Sequence, residues 1–147
     1  FGGIFSNGWV ASDRMINESP AVVEGFGRAL VRSWIACRAN REACVRAWWA
    51  ADSASRPSAG QEAERMRVDL RTVTVDEPQI EDFRPGAPRL YGAYPEGSWQ
   101  QLINVMHAEN QIRRADLDIA RLMTDRFVAG INRFDAAATE AAARAAN

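Results

Sequence analysis

From Ser19-Pro20 onward, apolar residues return every three or four positions, at Val22, Val23, Phe26, Leu30, Trp34 and Cys37. That is the period of one face of an α-helix. Serine is a good helix cap, and proline suits the first helical position, where its missing N–H would find no partner anyway. Arg28, Arg32 and Arg38 fall between the apolar positions. The spacing predicts an amphipathic helix over about 20–38, and a chain that contains it must build a core against that face. Asn40 follows as the cap of a second helix over 41–52, with Cys44, Ala47, Trp48 and Ala51 as its apolar side. So short a joint makes the two an antiparallel hairpin.

The same reasoning places helices over 61–71 (Ala63, Met66, Leu70) and over 98–109 (Trp99, Leu102, Ile103, Met106, capped by Ser98). Residues 118–133 read as a short turn from Asp116 or Asp118, followed by a helix that Thr124 caps and that carries Phe127, Val128 and Ile131. Asp135 caps an alanine-rich helix over 136–146. Residues 1–12, rich in aromatic residues, glycine and β-branched residues, read as a strand interrupted near Asn7-Gly8. Val73-Thr74-Val75 reads as a second, short strand. Four prolines (Pro78, Pro85, Pro88, Pro95) make 76–97 irregular, with Leu90 to Tyr94 extended along a surface. Trp34, Trp48 and Trp99 lie on apolar helical faces and are expected in the core, whereas Trp49 falls off that face.

A chain of 147 residues is one ordinary domain, and a net charge of −1 gives no electrostatic reason to expect nucleic acid or an anionic membrane as partner. All 18 basic side chains are arginine, so no lysine is present to form a Schiff base. The opening Phe1-Gly2-Gly3-Ile4-Phe5 reads as a mature or cleaved chain, or as part of something longer. His107 is the only histidine, with no second His or Cys at metal-ligand spacing, and is expected to be structural or exposed. The acidic pairs Asp76-Glu77 and Glu81-Asp82 are expected in solvent. Asn17-Glu18-Ser19 matches a glycosylation acceptor, but Ser19 is better used as a cap. No catalytic constellation, metal site, cofactor motif or glycine-rich phosphate loop is present in the sequence. Cys37 and Cys44 are seven apart. Across the hairpin joint their Cα atoms can approach within the disulfide range of about 4.4–6.8 Å. The alternative is two small thiols buried between helices.

Taken in order, Val10-Ala11-Ser12-Asp13, Ile16-Asn17-Glu18-Ser19-Pro20-Ala21-Val22-Val23, Phe26 and Ala29-Leu30 form a series, and Ala39-Asn40-Arg41-Glu42-Ala43 continues it. A later block follows: Glu96-Gly97-Ser98-Trp99, Leu102, Met106, Glu109-Asn110-Gln111-Ile112, Leu117-Asp118 and Met123-Thr124-Asp125-Arg126-Phe127-Val128. In order and spacing this resembles the periplasmic substrate-binding proteins of ABC importers, in the branch for nitrate, sulfonates, taurine and thiamine-pyrimidine precursors. Asn110 stands where that family usually has Gly, and Met123 where it usually has Tyr.

The resemblance implies an α/β fold, namely the C-terminal portion of a two-lobed type II periplasmic binding protein, predominantly helical in this segment. It implies that 1–147 is a single incomplete domain, completed by an N-terminal lobe or a second chain. It further implies capture of a small polar, anionic or heteroaromatic solute in an interlobe cleft, hinge closure, and delivery to a membrane permease. The location would be periplasmic, or lipid-anchored outside the cytoplasm. Ser6, Asn7 and Trp9 are the best cleft candidates, with Tyr91 and Tyr94 behind them, because hydroxyl, amide and aromatic groups suit such a solute. Two alternatives stand beside this. One is a pyrimidine-precursor synthase of the same fold, which needs a cysteine cluster, histidine and lysine that this sequence lacks. The other is a stand-alone helical interaction module, which would show an exposed apolar groove and no sheet.

Overall fold

The computed structural model describes residues 8–75, 90–94 and 96–146, with backbone only at 74 and 75. Seven α-helices lie among them: α1 (Asp13–Glu18), α2 (Pro20–Ala39), α3 (Arg41–Ala51), α4 (Glu62–Val75), α5 (Ser98–Ala108), α6 (Val128–Ile131) and α7 (Ala136–Ala145), with a 3-10 turn at Ile119–Arg121. The described residues are mostly helical and contain no strand.

The ends of the helices follow from local chemistry. The Ser12 hydroxyl accepts from the Met15 N–H, the Asn40 side chain from Ala43, Asp118 from Ala120 and Asp135 from Ala138. Each satisfies a donor that a helix start leaves over. Pro20 is the first residue of α2.

The chain divides into two compact units, each described by itself. The first takes in Phe1–Gly27 and Asp82–Asn132, the second Arg28–Glu81 and Arg133–Asn147. In the second unit α3 packs against α4. Val31, Ile35, Val45 and Trp49 are buried there, Val45 most completely at 1% exposure. Burial of a valine to that degree contributes about 1.5–3 kcal/mol. The Trp49 indole N–H donates to the Asp69 carboxylate at 2.8 Å, and the Arg65 guanidinium donates to the same oxygen at 2.9 Å. Cys37 and Cys44 form a disulfide across the α2–α3 corner, with Cα atoms 4.9 Å apart, which decides between the two alternatives the spacing left open. In the first unit Ile103, Phe127 and Ser98 are buried. The Arg126 guanidinium lies 4.6 Å from the centre of the Phe127 ring, within cation–π range.

Several expectations are corrected. Residues 1–7 of the strand expected over 1–12 lie outside the described residues, and 8–12 are not a strand: no neighbouring strand pairs with them, and Ser12 turns the chain into α1, a helix the sequence reading did not contain. Val73-Thr74-Val75 continue α4 rather than forming a strand. Within 118–133 only the 3-10 turn and α6 are helical. Leu90 to Tyr94 turn rather than extend, with the Ala93 N–H donating to the Leu90 carbonyl at 3.4 Å. Gly97, in the left-handed region at φ 72°, is the cap of α5, and Ser98 is its first, buried residue. Most of the acidic loop, including Asp76-Glu77 and Glu81-Asp82, lies outside the described residues. The buried faces of α2 and α3 are turned by one residue from those expected. Val31 and Ile35 are buried while Trp34 is 45% exposed, and Trp49 is buried while Trp48 is 41% exposed.

Two glycines of α2 give a paired prediction. A Cβ at Gly25 would meet open space, whereas one at Gly27 would lie 2.7 Å from Ile131 Cδ1 and 2.8 Å from its Cγ1. Gly25→Ala is therefore expected to stabilise by about 0.5–1 kcal/mol, the helix-interior cost of glycine. Gly27→Ala has the same gain but forces Ile131 out of place, for a net loss of about 1 kcal/mol. Thermal melts of the two variants check this. A Gly27→Ala protein as stable as Gly25→Ala would show that Ile131 yields freely.

Candidate functional site

The first unit gathers three of the five residues that the sequence proposed as ligand contacts. Trp9 follows Gly8 in the segment that leads into α1. Its ring meets that of Phe26 edge to face, with centroids 5.7 Å apart and planes at 84°. Both rings face water, at 71% and 56% exposure. A Cβ on Gly8 would lie 2.6 Å from the Tyr94 hydroxyl, so the backbone ahead of Trp9 passes close to that phenol, and a side chain there would have to displace it. Tyr94 in turn packs edge-on to Trp99, at 5.5 Å and 74°. Burial pushes the Tyr94 hydroxyl above its ordinary pKa, so it stays protonated through the physiological range.

Tyr91 enters by its backbone. Its N–H donates to the Asn132 side-chain oxygen at 2.9 Å, and its carbonyl accepts from the Asn132 amide nitrogen at 2.9 Å. The same nitrogen donates to the Val128 carbonyl at 2.7 Å. Asn132 thus ties the Leu90–Ala93 turn to the end of α6. Gly92 occupies the third position of that turn at φ 84°, a conformation that suits glycine. The result is a ledge: Trp9 and Phe26 pair in water, Gly8 before them lies against Tyr94, and the Tyr91 turn is held by Asn132. Such a surface offers flat apolar area together with hydroxyl and amide groups, the mixture that fixes planar or amphipathic ligands.

Ser6 and Asn7 lie outside the described residues. Phe26 and Asn132 are the contributors that the sequence reading missed. The helical period puts Phe26 on the core face, and an asparagine at the end of a short helix carries no signal of the distant turn it holds. His107 is exposed in the last turn of α5. No group of three or more His, Cys, Asp or Glu side chains that could hold a metal lies among the described residues. In the second unit Arg38, Asn40, Arg41, Glu42 and Leu70 line an open depression. The Glu42 carboxylate there is paired with Arg46 at 2.8 Å, and the Asn40 amide is fully used by helix ends. Among the described residues no helix is long and apolar enough to cross a membrane.

Comparison with known protein families, with curated proteins and with solved structures gave no match in any of the three.

Proposed function

We propose that the protein captures a small planar solute, polar, anionic or heteroaromatic, against the ledge of Trp9, Phe26, Tyr91 and Tyr94, without making or breaking bonds in it. The observation that carries this reading is the pairing of two exposed rings, Trp9 and Phe26, with the residue before Trp9, Gly8, against the Tyr94 hydroxyl. Exposed aromatic surface of this kind is costly to leave in water unless something covers it. The wider assignment follows from the resemblance given by Val10 to Leu30 and by Glu96 to Val128. On it the chain is part of a type II periplasmic solute-binding protein, completed by another lobe or chain, that hands its solute to an ABC permease. The Cys37–Cys44 disulfide supports a location outside the cytoplasm, where such bonds persist.

The test is a titration of the protein with nitrate, taurine, aliphatic sulfonates and aminopyrimidines, read by tryptophan fluorescence and calorimetry. One class is expected to bind, and Trp9→Ala is expected to weaken it at least about tenfold by removing the exposed ring. Binding that Trp9→Ala leaves intact would place the solute elsewhere.

A second reading, the helical interaction module, is favoured by the lack of any strand among the described residues and by the exposure of Trp34 and Trp48. It predicts silence in every solute titration, together with loss of a protein complex in Trp34→Ala/Trp48→Ala.

A further inference from the structure

The second unit contains a junction at which one side chain serves two helices, and a disulfide encloses it. Asn40 is the single non-helical residue between α2 and α3, at φ −145° and ψ 86°. Its side-chain oxygen accepts from the Ala43 N–H at 3.0 Å and so starts α3. Its two amide hydrogens go to the Ala143 carbonyl at 3.0 Å and the Ala146 carbonyl at 2.9 Å, at the far end of α7. The Ala143 carbonyl, in the last turn of α7, also accepts from the Ala146 N–H at 3.2 Å, and Ala146 is the extended cap residue just past the helix, so the Asn40 amide fastens the C-cap of α7.

The helix that receives these bonds lies at the surface. None of its residues is buried. The Arg144–Glu140 ion pair, the one it makes among the described residues, is internal. Ten alanine-rich residues are too few to stay helical alone in water. Among the described residues, the side-chain hydrogen bonds that reach α7 and Ala146 from another element come from Asn40.

Cys37 lies in the last turn of α2 and Cys44 in the first turn of α3, so the disulfide closes a loop with Asn40 near its middle. Both cysteines are partly exposed. We infer that the Cys37–Cys44 bond is a redox latch: while closed it holds Asn40 where its amide caps α7, and when a dithiol opens it α7 is released from the second unit. The exchange is balanced. A dithiol thiolate attacks one cysteine sulfur and expels the other as thiolate. The second thiol then displaces the first cysteine, leaving two protein thiols and an oxidised dithiol. This inference does not depend on the proposed solute.

The experiment is amide hydrogen exchange on the full chain, oxidised and after treatment with dithiothreitol, with Cys37→Ser/Cys44→Ser as the permanently open form. In both open forms the amides of α7 are expected to exchange about tenfold faster or more, while those around Val45 and Trp49 keep their protection. Asn40→Asp separates the latch from a general staple. It keeps the oxygen that starts α3 but has no amide hydrogens for Ala143 and Ala146, so it should free α7 with the disulfide intact. Equal protection of α7 in oxidised and reduced protein overturns the inference. So does uniform loss across α3, α4 and α7 on reduction, and so does an Asn40→Asp protein whose α7 stays protected.

Discussion

Replacing Asp69 by alanine is expected to cost about 3 kcal/mol of stability, the largest loss among the substitutions considered. Asp69 is 4% exposed, yet it carries a carboxylate that accepts from both the Trp49 indole and the Arg65 guanidinium. Truncation leaves the indole N–H of a buried tryptophan with nothing to donate to. An orphaned buried donor costs about 1–3 kcal/mol by itself, and the hydrogen bond to a charged group is lost on top of that. Trp49→Phe removes the donor instead, and the carboxylate keeps Arg65, whose own side chain is 44% exposed and tolerates solvent. That single change should cost less. In the double variant Trp49→Phe/Asp69→Leu neither group is left wanting a partner, so its cost should fall well below the sum of the two single variants. Urea unfolding followed by far-ultraviolet circular dichroism gives all the values. Strict additivity would mean that the Trp49–Asp69 bond contributes nothing beyond packing.

The same tryptophan shows where the sequence was legible and where it was not. Helix starts are legible where their chemistry is local: Asn40 and Asp135, expected as caps, accept from the N–H three residues ahead, and Asp118 accepts from the N–H two ahead, whereas Ser12 caps a helix that was not expected and Gly97, not Ser98, caps α5. Which side of a helix is buried is a tertiary question. In α2 and α3 it was ambiguous because apolar residues come in adjacent pairs: Leu30-Val31, Trp34-Ile35, Cys44-Val45 and Trp48-Trp49. Adjacent positions differ by about 100° around the helix, so each pair draws two equally good stripes. The stripe through Trp34 and Trp48 has the larger side chains, and the one through Val31, Ile35, Val45 and Trp49 is buried. Asp69 decides the matter for α3, because it supplies the acceptor an indole needs when buried, and only Trp49 reaches it.

The candidate site divides the same way. Trp9 stood out because it sits beside Asn7-Gly8, in a segment with no helical period. Tyr91 and Tyr94 stood out because they lie in a proline- and glycine-rich stretch, where exposed functional groups concentrate. That Gly8 lies against Tyr94, and that Phe26 turns outward to meet Trp9, are long-range facts with no local signature. The early residues also misled. Glycine, aromatic and β-branched residues are those of a strand, but a strand needs a neighbour to complete its ladder, and residues 8–12 instead feed a serine-capped helix.

Asn132→Ala is expected to cost about 2 kcal/mol and to loosen the turn that carries Tyr91. Asn132 is partly buried and makes three hydrogen bonds, two of them to the backbone of a residue 41 positions away. Alanine leaves the Tyr91 N–H and carbonyl without these partners, and each net hydrogen bond is worth about 0.5–1.5 kcal/mol. The loss should be local. Amides of residues 90–94 should exchange faster, while those of α5 around Ile103 hold. The sharper variant is Asn132→Asp, which has the same size. Its carboxylate can still accept from the Tyr91 N–H, but its second oxygen faces the carbonyls of Tyr91 and Val128, where the amide nitrogen had donated. Attraction becomes repulsion with the shape unchanged, so Asn132→Asp should be at least as damaging as Asn132→Ala. An aspartate variant as stable as the parent would show that Asn132 fills space rather than clamping the turn. In that case Tyr91 and Tyr94 are placed by packing alone, and solute affinity should survive the loss of the amide.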